Sequence, residues 1–487
     1  MAADRKLVAT GARVVTGVVV AAVAAAVAGA ALVLPLPAVT AVPASVTVDP
    51  APAEEVRACA GPLVRLSDDT GQDATAISSV GNPQLVSGSS SPEAALEIGG
   101  MPSPDDRAAT DASTPVRVAL PAASAGAAAT ADDASATVLF GAAQSQAVAT
   151  GELSGFAASA CGEATSDSWL VAGATTVGRT SFVVLANPGD VAAVVDLAIY
   201  GDQGAVVSPG ANNIDVPARS TRILSLAGLA PSLTDPVVHV TASVGAVSAF
   251  VQQSVVRGLE AGGVEQAGPT AAPATEQTIA GIQIAGTSAI AERLSDPDYV
   301  DLQSILRMFV PGDAPASVTI RIAEEKTGGA QTEYQVGLTP GIVTEFPLQD
   351  IPDGIYSVEI SSDQPLVSAA RTSTLTEGGS DFAWYPALPE LGEEFFVATA
   401  EGSSPRLHLV NDSGADAQIT LTTASGIQTP VTIVPGTRYV PLDATTTYTV
   451  TTSVPMSASV SYFGDAQSSS FAIAPPSPAA APVVVYP

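Results

Sequence analysis

The chain is poor in the side chains that most often carry chemistry. Its 487 residues include two histidines, two cysteines, two tryptophans and four methionines, and aromatic residues make up 5% of the total. The histidines, His239 and His408, stand singly at alternating positions in strand-like stretches. No cluster of Cys and His accompanies either, so the ligand spacing of a zinc site is missing. There is no serine motif of a strand-to-helix elbow and no phosphate-cradling glycine loop, which removes the usual warrants for hydrolysis or nucleotide chemistry. Positive charge is scarce too. With 18 Lys and Arg against 48 Asp and Glu, the formal net charge of −30 repels a phosphate backbone and argues against nucleic-acid binding. No catalytic residue, cofactor or metal is expected.

What is present suits strands and turns. Hydrophobic residues form 46% of the chain, while Gly and Pro number 42 and 38. That balance favours short β-strands punctuated by turns over long helices. One uncharged run, residues 14–34 (VVTGVVVAAVAAAVAGAALVL), is long enough as a helix to cross the hydrocarbon layer. Arg5, Lys6 and Arg13 precede it and favour a cytoplasmic tail over 1–13, with the rest of the chain outside. Two readings stand here: an uncleaved anchor, which the length of the run favours, or a signal peptide cleaved near 39–44. Residues 35–58, rich in Pro and Ala, read as an extended stalk. Cys59 and Cys161 both fall in the portion placed outside. There an even cysteine count is most simply a disulfide, with two buried thiols as the alternative. Residues 59–164 are expected to form a small β-domain tied by that bridge, with 101–113 as a mobile loop.

Beyond Cys161 one unit recurs three times. It begins with SFVVLANPGD (181–190), SILRMFVPGD (304–313) and PRLHLVNDSG (405–414), each followed by further strand-like runs and a closing hairpin at 237–250, 356–369 and 448–459. Val183, Leu185, Val195, Leu197 and Ile199 alternate so as to bury one face on either side of the Asn187–Asp190 turn, in which Pro fixes φ and Gly accepts a positive one. The expected fold is all-β. Tandem immunoglobulin-like β-sandwich domains would occupy 165–260, 276–388 and 393–474, behind one transmembrane helix and ahead of a disordered tail at 475–487. The segments 258–275 and 375–392 read as connectors that could add an edge strand.

The run WLVAGATTVGRTSFVVLANPGD, with its G-x-T-x-x-G-R motif at 173–179, the upstream cysteine pair and the single N-terminal apolar run, resembles the DUF5719 family of actinobacterial proteins of unknown function. The resemblance implies an envelope-associated β-protein and transfers no catalytic residue. The remaining candidates are few. Trp384 and Tyr385, in a connector, are candidate ligand contacts, and Trp169 reads as packing at a module junction. Asp296, Asp298 and Asp301 are spaced so that their oxygens could meet a hard cation, but they lack the glycine and glutamate of a calcium loop, and a solvated turn explains them. The neighbouring acids Glu324–Glu325 and Glu393–Glu394 arise freely in an acidic chain. Asn411 matches a glycosylation acceptor that the turn itself explains. The expected role is non-enzymatic: adhesion, scaffolding or envelope organisation, with the membrane as one partner and an envelope glycan or protein as another. A carbohydrate-binding or accessory factor for envelope polysaccharide assembly is the alternative.

Overall fold

The computed structural model describes residues 18–23, 46–48, 54–66, 77–103, 114–122, 138–326, 329–477 and 483–485. The chain divides into two units, Met1–Asp49 with Pro482–Pro487, and Pro50–Ala481. In the first, residues 18–23 are helical, and β1 (Val46–Val48) pairs antiparallel with the last strand, Val483–Val485. The tail expected to be disordered therefore contains a strand, built from a β-branched Val run that finds a matching partner. Most of the expected membrane segment at 14–34 lies outside the described residues, as does 104–113 of the expected loop. Among the described residues no helix is long and apolar enough to cross a membrane.

The second unit is all-β and holds four modules. The N-terminal module carries β2 (Glu55–Ala58), β3 (Leu63–Leu66), β4 (Ile77–Val80), β5 (Gln84–Ser89), β6 (Glu97–Gly100), β7 (Val116–Leu120), β8 (Phe140–Ala149), β9 (Ser154–Ala160) and β10 (Gly162–Glu163). The first repeat carries β11 (Asp167–Leu170), β12 (Arg179–Asn187), β13 (Ala193–Gly201), β14 (Gly204–Val206), β15 (Ile214–Val216), β16 (Ser220–Ser225), β17 (Val237–Val244), β18 (Ser248–Arg257) and β19 (Glu260–Ala267). In the second repeat are β20 (Ala274–Ile284), β21 (Ile305–Phe309), β22 (Ala316–Glu324), β23 (Gln331–Leu338), β24 (Val343–Pro347), β25 (Gly354–Thr376) and β26 (Gly379–Pro386). The third has β27 (Glu394–Thr399), β28 (Arg406–Asn411), β29 (Ala417–Thr423), β30 (Gln428–Ile433), β31 (Gly436–Pro441), β32 (Thr446–Thr452), β33 (Ser457–Gly464) and β34 (Gln467–Ala472).

The third repeat shows the plan most plainly: one antiparallel sheet in the order β27-β32-β29-β30 faces another in the order β31-β28-β33-β34. The first repeat has the same order, β11-β17-β13 with β14 and β15 at the edge, against β16-β12-β18-β19. So does the second, where β25 runs unbroken through both sheets, its first half beside β20 and β22 and its second beside β21 and β26. The closing segments expected as hairpins are thus arches from one sheet to the other, and the true hairpin is the one that follows, into β19, β26 or β34. The N-terminal module repeats the core of this plan with β2-β7-β6 and β5-β8-β9, a fourth copy that the sequence reading did not separate from an unrelated small domain.

Alternation explains the cores. β13 reads buried at Ala193, Val195, Leu197 and Ile199, every second position, and these pack with Val183 and Leu185 of β12 across the gap between the sheets. The opposite face of β12 is covered as well, by the N-terminal module: Val184, beside Phe250 of its own repeat, meets Ala60, and Ala186 meets Ala58 and Met101. Each Val, Leu, Ile, Phe or Met side chain among these contributes roughly 1.5–3 kcal/mol when taken fully out of water. The Asn187–Asp190 turn of the pattern is also shared in atomic detail. Asn187 donates to the carbonyls of Val191 and Val216 and accepts from Gly189 N–H, and Asn411 does the same with Ala415, Ile433 and Ser413.

The four modules close on one another. β9 packs against β19, β19 against β26, β26 against β34, and β34 against β9. Each of these strands is the outer member of its module's last hairpin and would otherwise present an unpaired edge. The presumed connectors 258–275 and 375–392 are therefore two of the four central strands, because the edge they would expose is covered by the neighbouring modules.

Candidate functional site

At the centre of the four strands sits Asp381, fully buried on β26. Its Oδ2 accepts the backbone N–H of Phe156 (2.9 Å) and of Ser468 (3.0 Å), and its Oδ1 accepts that of Val264 (3.1 Å). The N–H of Phe382, the next residue on its own strand, also donates to it. One carboxylate thus receives a main-chain donor from each of the four modules. Gly155 and Gly263 make room for it with φ of +140° and +120°, and a Cβ on either would lie 2.6 Å from Asp381 Oδ1. Burial pushes the Asp381 carboxyl well above the usual range, against the lowering pull of those donors. Glu265 on β19 is likewise buried and raised by burial, opposed by hydrogen bonds from Ser469 Oγ (2.8 Å) and Gln266 N–H (2.8 Å) and reinforced by the charge of Asp381. Buried glutamines extend the network. Gln144 and Gln266 bond each other and both reach the Gly61 carbonyl, while Gln252 takes both the N–H and the carbonyl of Val64.

A second polar cluster has the composition of a catalytic triad. His408 Nε2 lies 2.7 Å from Ser461 Oγ, and its Nδ1 lies 2.6 Å from Glu325 Oε2. The residue exposures are 0% for His408 and 4% for each of the other two, and Gly281 N–H fills the remaining Glu325 oxygen at 2.6 Å. A Cβ on Gly281 would meet the His408 ring at 2.6 Å, so β20 of the second repeat lies directly on the imidazole of the third. A serine so covered has no space beside its Oγ for a scissile carbonyl. The cluster bonds the second repeat to the third.

The residues singled out from the sequence fall as follows. Cys59 and Cys161 form a disulfide that ties the ends of the N-terminal module. Trp384 and Tyr385, read as candidate ligand contacts, are each 1% exposed and lie on the central strand β26, so that expectation is corrected. The Trp384 Nε1–H donates to Gln253 Oε1 (2.8 Å), Arg307 lies over its ring at 4.5 Å, and burial raises the Tyr385 hydroxyl. Trp169 stacks on His239 with ring centroids 3.9 Å apart and reaches Phe309 of the second repeat, a junction contact.

The three aspartates do not converge. Asp296 caps the short helix Pro297–Leu302 by accepting from Asp298 N–H, while Asp301 is clasped by Arg257 (2.9 and 2.8 Å), Arg179 (2.5 Å) and Arg371 (3.5 Å). Burial would raise Asp301, but the Arg257 hydrogen bond and the charges of Arg371, Arg257 and Arg179 outweigh it and hold the carboxyl at about 2. Among the described residues no group of three or more His, Cys, Asp or Glu is placed to hold a metal ion. Glu324 pairs with Lys326, whereas Glu325 turns inward to His408. Asn411 is 1% exposed with its amide engaged in the turn, which leaves no group for a glycan to attach to.

Open surface is found at the seam between the N-terminal module and the third repeat. A cleft of about 500 Å³ is lined there by Asn82, Gln84, Ser145, Gln146, Phe156, Glu401, Gly402, Ser403 and Gln467. Ser145 Oγ donates to the Glu401 carbonyl (2.6 Å), which joins the two walls across the seam, and Ser403 Oγ donates to Gln467 Oε1 (2.9 Å) within the third repeat's own wall.

A family model described as "Family of unknown function (DUF5719)" matches residues 116–453, most of the chain. The chain belongs to the DUF5719 family. No curated protein matches it. The DUF5719 match begins at Val116, on β7, and ends at Ser453, ahead of β33. Phe156, Val264, Glu265 and Asp381 fall inside it, and Ser468 beyond it. Sequence reasoning missed Asp381, Glu265 and Ser461. The one available signal was an aspartate inside an otherwise apolar run, SDFAWYP, where a connector needs no buried charge.

Proposed function

We propose that this DUF5719 protein is a non-enzymatic component of the cell envelope, held at the membrane by residues 14–34 and presenting its modules outside as a rigid platform for a glycan or protein partner. The modules are immunoglobulin-like in the broad sense of two antiparallel sheets face to face over one core. The observation that carries the reading is the use made of polar chemistry: Asp381, Glu265 and the Ser461–His408–Glu325 cluster are all spent on bonds between modules. A chain whose modules are locked in this way suits presentation and spacing better than a cycle of domain motion. The disulfide supports an oxidising compartment. Fractionation with protease shaving of whole cells tests this. The chain should pellet with membranes and a C-terminal epitope should be digested from outside; a soluble chain, or an epitope protected in intact cells, overturns it. The second reading, an accessory carbohydrate-binding factor, is favoured by the amide-lined cleft at the seam.

A further inference from the structure

We infer that the cleft between the N-terminal module and the third repeat binds an uncharged or N-acetylated sugar residue through Gln84, Gln467 and Glu401. The inference deepens the second reading above by naming the ligand chemistry and the residues. Sugar hydroxyls donate and accept at once, and so do the side-chain amides of Asn82, Gln84 and Gln467 that line this cleft. Glu401 is the one charged side chain in the lining and accepts from hydroxyls. Beside it, and on a chain of net charge −30, an anionic ligand is disfavoured. A cation would find a single carboxylate, short of the several oxygens it needs.

The cleft has a rigid floor. Gly402 lies so close to two rings that a Cβ there would come within 2.6 Å of Phe156 and 2.5 Å of Tyr462, and those rings pack at 5.4 Å between centroids. Phe156 is held in turn by its N–H bond to Asp381, so the floor is anchored to the centre of the molecule. A volume of about 500 Å³ falls within the range of small-ligand sites, which favour junctions between domains such as this seam. Because the walls come from two modules already bonded across the seam by Ser145 and Glu401, binding costs little ordering of the protein.

The test is saturation-transfer NMR on the full chain in detergent micelles, with chitobiose and maltose as probes. Transfer to at least one probe is expected. Gln84→Ala and Glu401→Ala, at exposed positions, should each weaken its binding by about tenfold, one hydrogen bond to a neutral or charged group. Ser288→Ala, in a separate cleft of the second repeat, should leave it unchanged. Absence of transfer to both probes, equal affinity in all variants, or loss in Ser288→Ala overturns the assignment. Thermal unfolding followed by tryptophan fluorescence shows that each variant is folded. The shaving experiment is independent, so failure of the cleft and failure of the envelope reading are told apart.

Discussion

Asp381→Ala removes the one side chain that bonds all four modules. The wild-type carboxylate satisfies three N–H groups from other modules, Phe156, Val264 and Ser468, in a site with no access to water. Each buried donor left without a partner costs about 1–3 kcal/mol, a gross loss of roughly 3–9 kcal/mol. Against this stands the relief of no longer burying a carboxyl whose charged form is itself disfavoured there. The net expectation is a destabilisation of about 3–5 kcal/mol, in line with removing one partner from a buried charged network. Asp381→Asn keeps the shape but replaces one acceptor oxygen by an NH₂ that faces another N–H, and should cost about half as much. Both native tryptophans report the event, Trp384 beside the hub and Trp169 at the junction of the first and second repeats, so urea or thermal unfolding can be followed by their fluorescence. At about 2 °C per kcal/mol for a large domain, Asp381→Ala should lower Tm by roughly 6–10 °C. A loss below about 1 kcal/mol would refute the reasoning, since it would mean that the three amides find other partners.

Three further outcomes follow from the same contacts. Breaking the Cys59–Cys161 bridge, by reductant or by Cys161→Ser, releases a loop with a sequence separation of 102 residues. In the chain-entropy account that costs about 4–5 kcal/mol, seen as a Tm drop in calorimetry with and without reductant. Asp301, held at about 2 against an unfolded value near 3.8, adds stability that is fully present above pH 4 and is lost as pH falls through about 2. Asp301→Asn should therefore cost about 2 kcal/mol at pH 7 and flatten the acid limb of stability against pH, both read from urea titrations. His408→Leu strands the buried Glu325 carboxylate and should cost about 3–5 kcal/mol, whereas the double change with Glu325→Leu recovers much of it; a double-mutant cycle measures the coupling.

Much of the architecture was legible because it rests on local rules. Period-2 burial in β13, the Asn-Pro-Gly-Asp turn and the recurrence of that unit are all properties of neighbouring residues, and they place Val183, Leu185, Val195, Leu197 and Ile199 in the core where the structure has them. The fourth copy was hidden because its strands, QLVSGS and EIGG, trade β-branched residues for Ser and Gly, and because β3 and β4 are inserted between its first two strands. The hub was illegible for a different reason. Asp381 acquires its meaning from donors that lie 225, 117 and 87 residues away, and Glu325 is paired with a histidine 83 residues further on. No pattern of spacing announces such partners. Trp384 and Tyr385 were misplaced by the same blindness: a Gly-rich flank suggested a connector, while closure of the four modules turned it into a central strand buried from Asp381 to Pro386.

The closed arrangement of four modules around Asp381 is tested most directly by hydrogen exchange across β9, β19, β26 and β34. Peptides covering 154–160, 260–267, 379–386 and 467–472 should exchange together, at the slowest rate in the chain, and Asp381→Ala should speed all four. Independent exchange of these peptides, or a change confined to 379–386 in the variant, would contradict it.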